Sequence, residues 1–380
     1  MSKKTLLHIL ISAIFITVFL FPIQAVSFNG SLDCKSAVLM EASSGKILYE
    51  KNADEALPPA SVTKIMTLLL VMEAVDSGRI NLTDMVTVSE NAASMGGSQV
   101  YLKAGEEMSV EEMIKCVVIA SANDCAVALA EFLYGSEDAF VAEMNSRAKE
   151  LGMNNTHFEN TNGLDDTVTN HVISARDIAI MSRELIKHEL IFKYSSTWMD
   201  TIRNGTFGLT NTNRLVRFYS GANGLKTGST AKAKFCISAT AKRDGMQLIA
   251  VIMASPNRDI RNNAAKTLLD FGFANYGIFA LQNGTTSPIA VKGGKSDLCK
   301  LEFADVNIVI EKERISKIET KTELPEFIKA PVKTGDALGR VVLEYNGEVI
   351  GESKIVAVET IEAISYLELL SRILKGFCLS

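Results

Sequence analysis

Ser61 and Lys64, in the stretch PPASVTKIMT that begins at Pro58, place a hydroxyl and an amine three residues apart. Two prolines stop the preceding chain, and the apolar run that follows predicts a buried helix from about Ser61 to Val75. Residues i and i+3 share a helix face, so the amine falls beside the hydroxyl. A helix start also offers free N–H groups and a partial positive charge to a developing anion. An amine acts as a base only when neutral, a state that burial and a neighbouring cation both favour. The pair therefore suits an activated serine nucleophile. The same serine would serve as a plain N-cap, and S-x-x-K recurs at Ser43–Lys46, Ser146–Lys149 and Ser229–Lys232.

Two further short patterns bear on that choice. Ser121-Ala122-Asn123 falls between two predicted helices, SVEEMIKCVVIAS (opened by a Ser109/Glu112 capping box) and CAVALAEFLY. Lys226-Thr227-Gly228 runs straight into the strand KFCISATA, where a glycine lets another backbone approach closely. A second K-T-G, Lys333 to Gly335, leads into a turn and is the poorer wall for a site. Around these patterns, Ala37–Met40 and Ile47–Tyr49 read as a hairpin, EDAFVAEMNSRAKELG and Ser174–His188 as helices, and KAKFCISATA with QLIAVIMA as adjacent strands. NNAAKTLLDFGF closes the region as a helix. Helices among hairpin-linked strands predict a mixed α/β fold on an antiparallel sheet.

Bulk properties exclude several functions. A formal charge of −5 with interspersed signs and no basic stripe argues against a nucleic-acid partner. The six cysteines form no C-x-x-C pair, and neither H-E-x-x-H nor G-x-S-x-G occurs, which disfavours a zinc ribbon, a thioredoxin-type site, a metalloprotease and an α/β-hydrolase. The cysteines are read as mostly free, buried thiols. The basic MSKK start, the apolar Leu6–Phe21 and the small residues Ala25 and Ser27 have the form of a secretory signal peptide, with an uncleaved anchor as the alternative.

Taken in order, Ser61–Lys64, Ser121–Asn123 and Lys226–Gly228 resemble the motif set of the penicillin-binding proteins and serine β-lactamases. The sequences LYEKNADEALPPASVTKIMT, IASANDCAVALAE, LGMNNTHFENTNGLDD and ISARDIA look like the low-molecular-mass group, the D-alanyl-D-alanine carboxypeptidases of serine peptidase family S11, over about residues 33–365. The resemblance implies an acyl-enzyme on Ser61, with Lys64 taking its proton, Ser121 relaying a proton to the leaving D-alanine and Asn123 orienting substrate and Lys64. Lys226, Thr227 and an arginine beyond the sheet would hold the substrate carboxylate. The arginine is assigned to Arg261, with Arg258 second. Gly228 would open the wall, and the N–H groups of Ser61 and Ser229 would form the oxyanion hole. The implied reaction requires no metal and no organic cofactor, and the implied partners are the peptidoglycan stem peptide and β-lactam antibiotics. Two positions depart from the family pattern: Ser229 replaces a large ring residue, and Lys234 replaces a glycine. In the family, Ser94–Leu102 lies near the site, and Gly96 and Gly97 are read first as turn glycines. A β-lactamase is one rival; Glu159 is the acid nearest to the base such an enzyme needs. A catalytically weak wall-binding scaffold is another.

The expected organisation is a signal peptide at 1–27, a penicillin-binding/β-lactamase-like transpeptidase domain at 30–282 with helices flanking its sheet, and a small all-β domain, a β-sandwich, at 283–360. An amphipathic helix at 361–380 would lie on a membrane surface. Its alternative is a helix packed on the β domain or on a second copy. The protein is expected outside the cytoplasmic membrane, at the cell wall.

Overall fold

The computed structural model describes residues 28–166 and 168–378; the expected signal peptide lies outside the described residues. Strand β1 (Ser36–Glu41) turns back into β2 (Ile47–Lys51), as the alternation around Ser43-Ser44-Gly45 predicts. Glu41 closes the turn by accepting the N–H groups of Ser43 and Ser44 at 3.0 and 2.8 Å. The chain then enters a single 3-10 turn, Ala60–Thr63, before helix α1 (Lys64–Asp76). Ser61 therefore sits in a tight lead-in turn, one step ahead of the α-helix that the sequence placed it on. Helix α1 is buried all round, from Ile65 to Met72. Each covered Leu, Ile, Val or Met there contributes roughly 1.5–3 kcal/mol.

The long helix expected over SVEEMIKCVVIAS is α2 (Val110–Lys115), capped by Ser109 Oγ on the Glu112 N–H at 3.2 Å, followed by a π turn, Cys116–Ala120. The π turn ends on Ser121 in a left-handed conformation, φ 66°. Single π turns inside helices collect at functional sites because they redirect the residue that follows. Helices α3 (Asn123–Tyr134), α4 (Glu137–Glu150) and α5 (Ala175–Leu185) complete the helical layer over α1.

Strands β3 (Ala222–Thr230), β4 (Lys234–Arg243) and β5 (Met246–Ser255) join the first hairpin in an antiparallel sheet of order β2-β1-β5-β4-β3. Strand β5 is buried on both faces, between α5 and helix α6 (Arg258–Asn275), which explains its unbroken apolar run. Asn257 caps α6 by accepting the Ile260 N–H at 2.8 Å. The K-T-G strand β3 is an edge of this sheet, so its outer side is free to line a cleft.

Beyond α6 the chain is mostly strand. A pair, β6 (Tyr276–Leu281) with β9 (Val306–Glu311), accompanies a six-stranded sheet of order β10-β12-β13-β8-β7-β11. Its members are β7 (Gly284–Lys292), β8 (Leu298–Phe303), β10 (Glu319–Glu323), β11 (Phe327–Lys329), β12 (Ala337–Tyr345) and β13 (Glu348–Ala357). Ile289, Val291, Leu301, Val341, Ile355 and Ile361 share its core. Lys46 Nζ on Val309 O (3.1 Å) and Lys312 Nζ on Phe273 O (2.6 Å) join this region to the first. Both sheets belong to one compact unit.

The last helix, α7 (Tyr366–Cys378), starts five residues later than its periodicity suggests. Ile361 is held in the β core by a bridge to Val332, and Ser365 with Glu368 forms a reciprocal cap at 2.8 and 3.3 Å. Tyr366, Leu367, Leu370, Ile373 and Leu374 on α7 are exposed. Among the described residues no helix is long and apolar enough to cross a membrane.

Candidate active site

Lys64 is completely buried, and three oxygens surround its amine: Ser61 Oγ at 3.0 Å, Asn123 Oδ1 at 2.5 Å and Asn162 O at 2.8 Å. Asn123 Oδ1 and the Asn162 carbonyl only accept. A neutral amine has two protons for them and one lone pair left, which meets the Ser61 hydroxyl. Burial first, and then the charge of Lys226, hold the Lys64 pKa well below that of an ordinary lysine, against a smaller opposing pull from Asp124. Asn123 is itself fixed: its Nδ2 donates to Gly96 O at 2.7 Å and its N–H to Ser98 O at 2.7 Å. The Ser94–Leu102 loop thus orients Asn123 through its carbonyls.

Lys226 reaches the same place from the sheet edge. Its buried Nζ donates to Ser121 Oγ and to Thr227 O, both at 2.8 Å. Burial and the charge of Arg261 pull its pKa down to about 7. Thr227 Oγ1 donates to Thr212 Oγ1 at 2.8 Å. Gly228 is required by contact: a Cβ there would stand 2.8 Å from both Pro59 O and Ser61 N, and 2.9 Å from Val62 N. Strand β3 can lie against the turn that carries Ser61 only with hydrogen at that position.

A cavity of about 560 Å³ opens over these groups. Ser61, Ser121, Thr227, Gly228, Ser229 and Arg261 all line it. The three motifs, far apart in the chain, meet in one cleft. Arg261 is buried, with Nη1 on Cys236 O at 3.3 Å and Nη2 on Asn262 Oδ1 at 2.9 Å, and is therefore not a solvated helix-start residue. Burial and the neighbouring Arg258 charge lower its pKa to about 10. Arg258 lines the same cavity from an exposed position.

Several lining residues had no sequence signal. Thr212, Arg214, Trp198 and Phe218 lie in the segment before β3, which holds a small hairpin, Met199–Ile202 with Phe207–Thr210, and a short helix, Leu215–Phe218, and Asn162 acts through a backbone carbonyl that any residue type would supply. The two departures separate. Ser229 lines the cleft, whereas Lys234 is exposed at the first position of β4, just after the β3–β4 turn, at φ 57°. A non-glycine residue pays roughly 1–2 kcal/mol in that conformation, so the glycine typical there answers to backbone geometry. Glu159 is not among the lining residues; its carboxylate accepts the N–H groups of Thr169 and Asn170 at 3.0 and 2.8 Å. The second K-T-G is an exposed turn, with Lys333 N–H on Asp336 Oδ2 at 2.7 Å. Cys34, Cys116, Cys125, Cys236 and Cys299 are buried free thiols, and the described residues hold no cluster able to bind a metal ion.

A sheet with K-T-G on its edge strand, set over a buried helix that opens on S-x-x-K, defines the class of active-site-serine, penicillin-binding proteins. The sequence model of the D-alanyl-D-alanine carboxypeptidase family, S11, matches residues 23–257, and that of the penicillin-binding protein 5 C-terminal domain matches residues 281–363. The chain is 45% identical to D-alanyl-D-alanine carboxypeptidase DacF of Bacillus subtilis, over 90% of this chain and 89% of that protein. Identity to DacC of Escherichia coli is 33%, over 87% and 85%. The crystal structure of penicillin-binding protein 5 from Haemophilus influenzae superposes with a TM-score of 0.77 at 32% identity, covering 88% of this chain and 99% of that one. Penicillin-binding protein D2 of Listeria monocytogenes, in its ampicillin-bound form, matches at 0.60 and 31%, covering 65% of this chain and all of the other. The chain belongs to the D-alanyl-D-alanine carboxypeptidase family.

Proposed function

We propose that the protein is a serine-type D-alanyl-D-alanine carboxypeptidase that removes the terminal D-alanine from peptidoglycan stem pentapeptides. The observation that carries this reading is the buried amine of Lys64, held between two pure acceptors with its third direction on Ser61 Oγ. As Ser61 Oγ bonds to the carbonyl carbon of the penultimate D-alanine, its proton passes to Lys64. The tetrahedral oxyanion is held by the N–H groups of Ser61 and Ser229, an arrangement in which one donor is typically worth ~10²–10³ in rate. The C–N bond then breaks, and the leaving amine takes a proton through Ser121. Water cleaves the resulting ester, returning the proton to Ser61. Lys226, Thr227 and Arg261 hold the terminal carboxylate, and Gly228 lets the strand reach it.

A β-lactam carries the same carboxylate beside a strained amide and forms an ester on Ser61 with no leaving group lost. Mass spectrometry after penicillin treatment therefore finds the full mass of the drug on the Ser61 peptide. Turnover of diacetyl-Lys-D-Ala-D-Ala is lost in Ser61→Ala. A folded wild-type protein with neither adduct nor turnover refutes the assignment and favours a wall-binding scaffold. Rapid loss of the adduct instead favours a β-lactamase.

The substrate polymer places the enzyme outside the cytoplasmic membrane, which suits the leader-like residues 1–27. Residues 30–282 form the catalytic domain and 283–360 a β-sandwich domain. The apolar side of α7, with Leu367, Leu370 and Leu374 exposed, lies in the membrane interface. Truncation after Glu362 releases the protein from the membrane fraction; an unchanged membrane-bound share defeats that role.

A further inference from the structure

His171 is buried but does not line the cleft. It sits on the segment that returns to the nucleophile's turn through the bridges His157–Val172 and Leu57–Ile173. The backbone N–H of Glu159 donates to His171 Nδ1 at 3.0 Å, so this nitrogen carries no proton. In the neutral ring the proton is then on Nε2. Nε2 stands 2.8 Å from Thr63 Oγ1, and Thr63 Oγ1 donates onward to Ala60 O at 2.9 Å. The direction of the relay is thus fixed at every link: Glu159 N–H to the ring, ring to Thr63, Thr63 to Ala60. Ala60 immediately precedes the nucleophile and has φ 49°. That conformation costs an alanine roughly 1–2 kcal/mol and persists only where surrounding bonds hold it. Gly163 presses on the same carbonyl, since a Cβ there would come within 1.9 Å of Ala60 O.

The ring stays neutral in ordinary conditions. Burial draws its pKa down to about 4, with Glu159 opposing, His157 adding and Asp165 opposing. A proton on Nδ1 would face the Glu159 N–H and break the first link.

We propose that His171 is a positioning residue for acyl transfer: through Thr63 it locks Ala60, and so sets Ser61 Oγ at bonding distance from Lys64. The proposal rests on Ser61 being the nucleophile.

Two substitutions in the full chain separate the two ring nitrogens. Glutamine carries its amide out to the place of Nε2 and keeps a donor for Thr63. Asparagine stops at the place of Nδ1, keeps an acceptor for Glu159 and leaves Thr63 unserved. Benzylpenicillin acylation is resolved into the dissociation constant of the non-covalent complex and the rate constant of acylation, with the thermal midpoint measured alongside. His171→Asn lowers the acylation rate constant about 10–100-fold, a size consistent with an ångström-scale misplacement, and leaves the dissociation constant within about threefold. His171→Gln stays within about threefold of wild type. Thr63→Val reproduces the asparagine defect, and combining the two adds nothing further. The proposal is overturned if asparagine performs as well as glutamine, or if both variants slow equally in step with a lowered midpoint. Wild-type protein that forms no Ser61 adduct refutes the nucleophile assignment, and this one with it. Normal wild-type acylation with an undiminished asparagine variant refutes the role of His171 alone.

Discussion

Replacing Lys64 by methionine lowers the acylation rate of Ser61 by about 10³-fold while leaving the protein folded. Methionine matches the length of the lysine stem and suits the all-round burial of α1. What it removes is the lone pair 3.0 Å from Ser61 Oγ. A positioned general base typically contributes 10²–10⁴ in rate, and no other base within hydrogen-bonding reach of that hydroxyl is present among the described residues. Two stability effects oppose each other. The acceptors Asn123 Oδ1 and Asn162 O lose a donor, at about 1–3 kcal/mol each where water does not replace it. Against this, a fully desolvated amine no longer has to be buried. The expected result is a thermal midpoint close to wild type beside a nearly silent nucleophile, read by the time course of penicillin adduct formation. An acylation rate within tenfold of wild type would assign the base elsewhere.

The site was legible wherever chemistry is written locally. Ser61 and Lys64 lie one turn apart, so any helical geometry brings them together, and the 3-10 form of that turn does not separate them. Lys226 to Gly228 occupy consecutive strand positions, and Gly228 announces the close approach that the structure contains. The apolar runs of β4 and β5 and the turn residues between them marked the sheet's centre equally well. Elsewhere the information is not in residue type. Asn162 binds Lys64 through its carbonyl, and Gly96 binds Asn123 likewise, so no side chain marks either role. Trp198, Thr212 and Arg214 reach the cleft from a segment with no sustained period, whose path depends on the sheet it packs against. The π turn before Ser121 was hidden for a related reason. Its residues, CVVIA, suit an α-helix as well, and only the demand for a left-handed serine facing Lys226 distinguishes the two.

The start of α7 shows tertiary contact setting a helix boundary. Ile361, where the helix is expected to begin, lies in the β core instead, and Val332 pairs with its backbone. The helix then waits for Ser365, the first residue able to cap it. Nothing in the sequence marks His171, since a lone histidine is more often a satisfied core residue than an active one. Only the fixed donor and acceptor on its two nitrogens connect it to the nucleophile.

Replacing Lys226 by glutamine moves the acidic limb of the acylation profile to higher pH. Acylation needs neutral Lys64, so the rate rises with pH as Lys64 loses its proton. The Lys226 ammonium is one of the two causes that depress the Lys64 pKa. Without that charge, Lys64 holds its proton to higher pH and the limb follows. Glutamine also withdraws a cation from the substrate carboxylate, so the plateau falls as well, by about 10²-fold for a charge acting in a buried site. Lys226→Arg keeps the charge and leaves the limb near its wild-type position even where bulk slows the reaction, which separates electrostatics from fit. Stability carries a second signature. In the folded protein Lys226 releases its proton at about 7, whereas an unfolded lysine keeps it to roughly 10.4. Between those values the unfolded chain binds more protons, so this group makes stability rise with pH across that window and withdraws the gain on acidification toward 7. Lys226→Gln flattens that rise. Measuring the penicillin acylation rate and the denaturation midpoint of wild type and variant over the same pH series tests both. An acidic limb that stays in place, or moves to lower pH, would mean that the two lysines do not share a field.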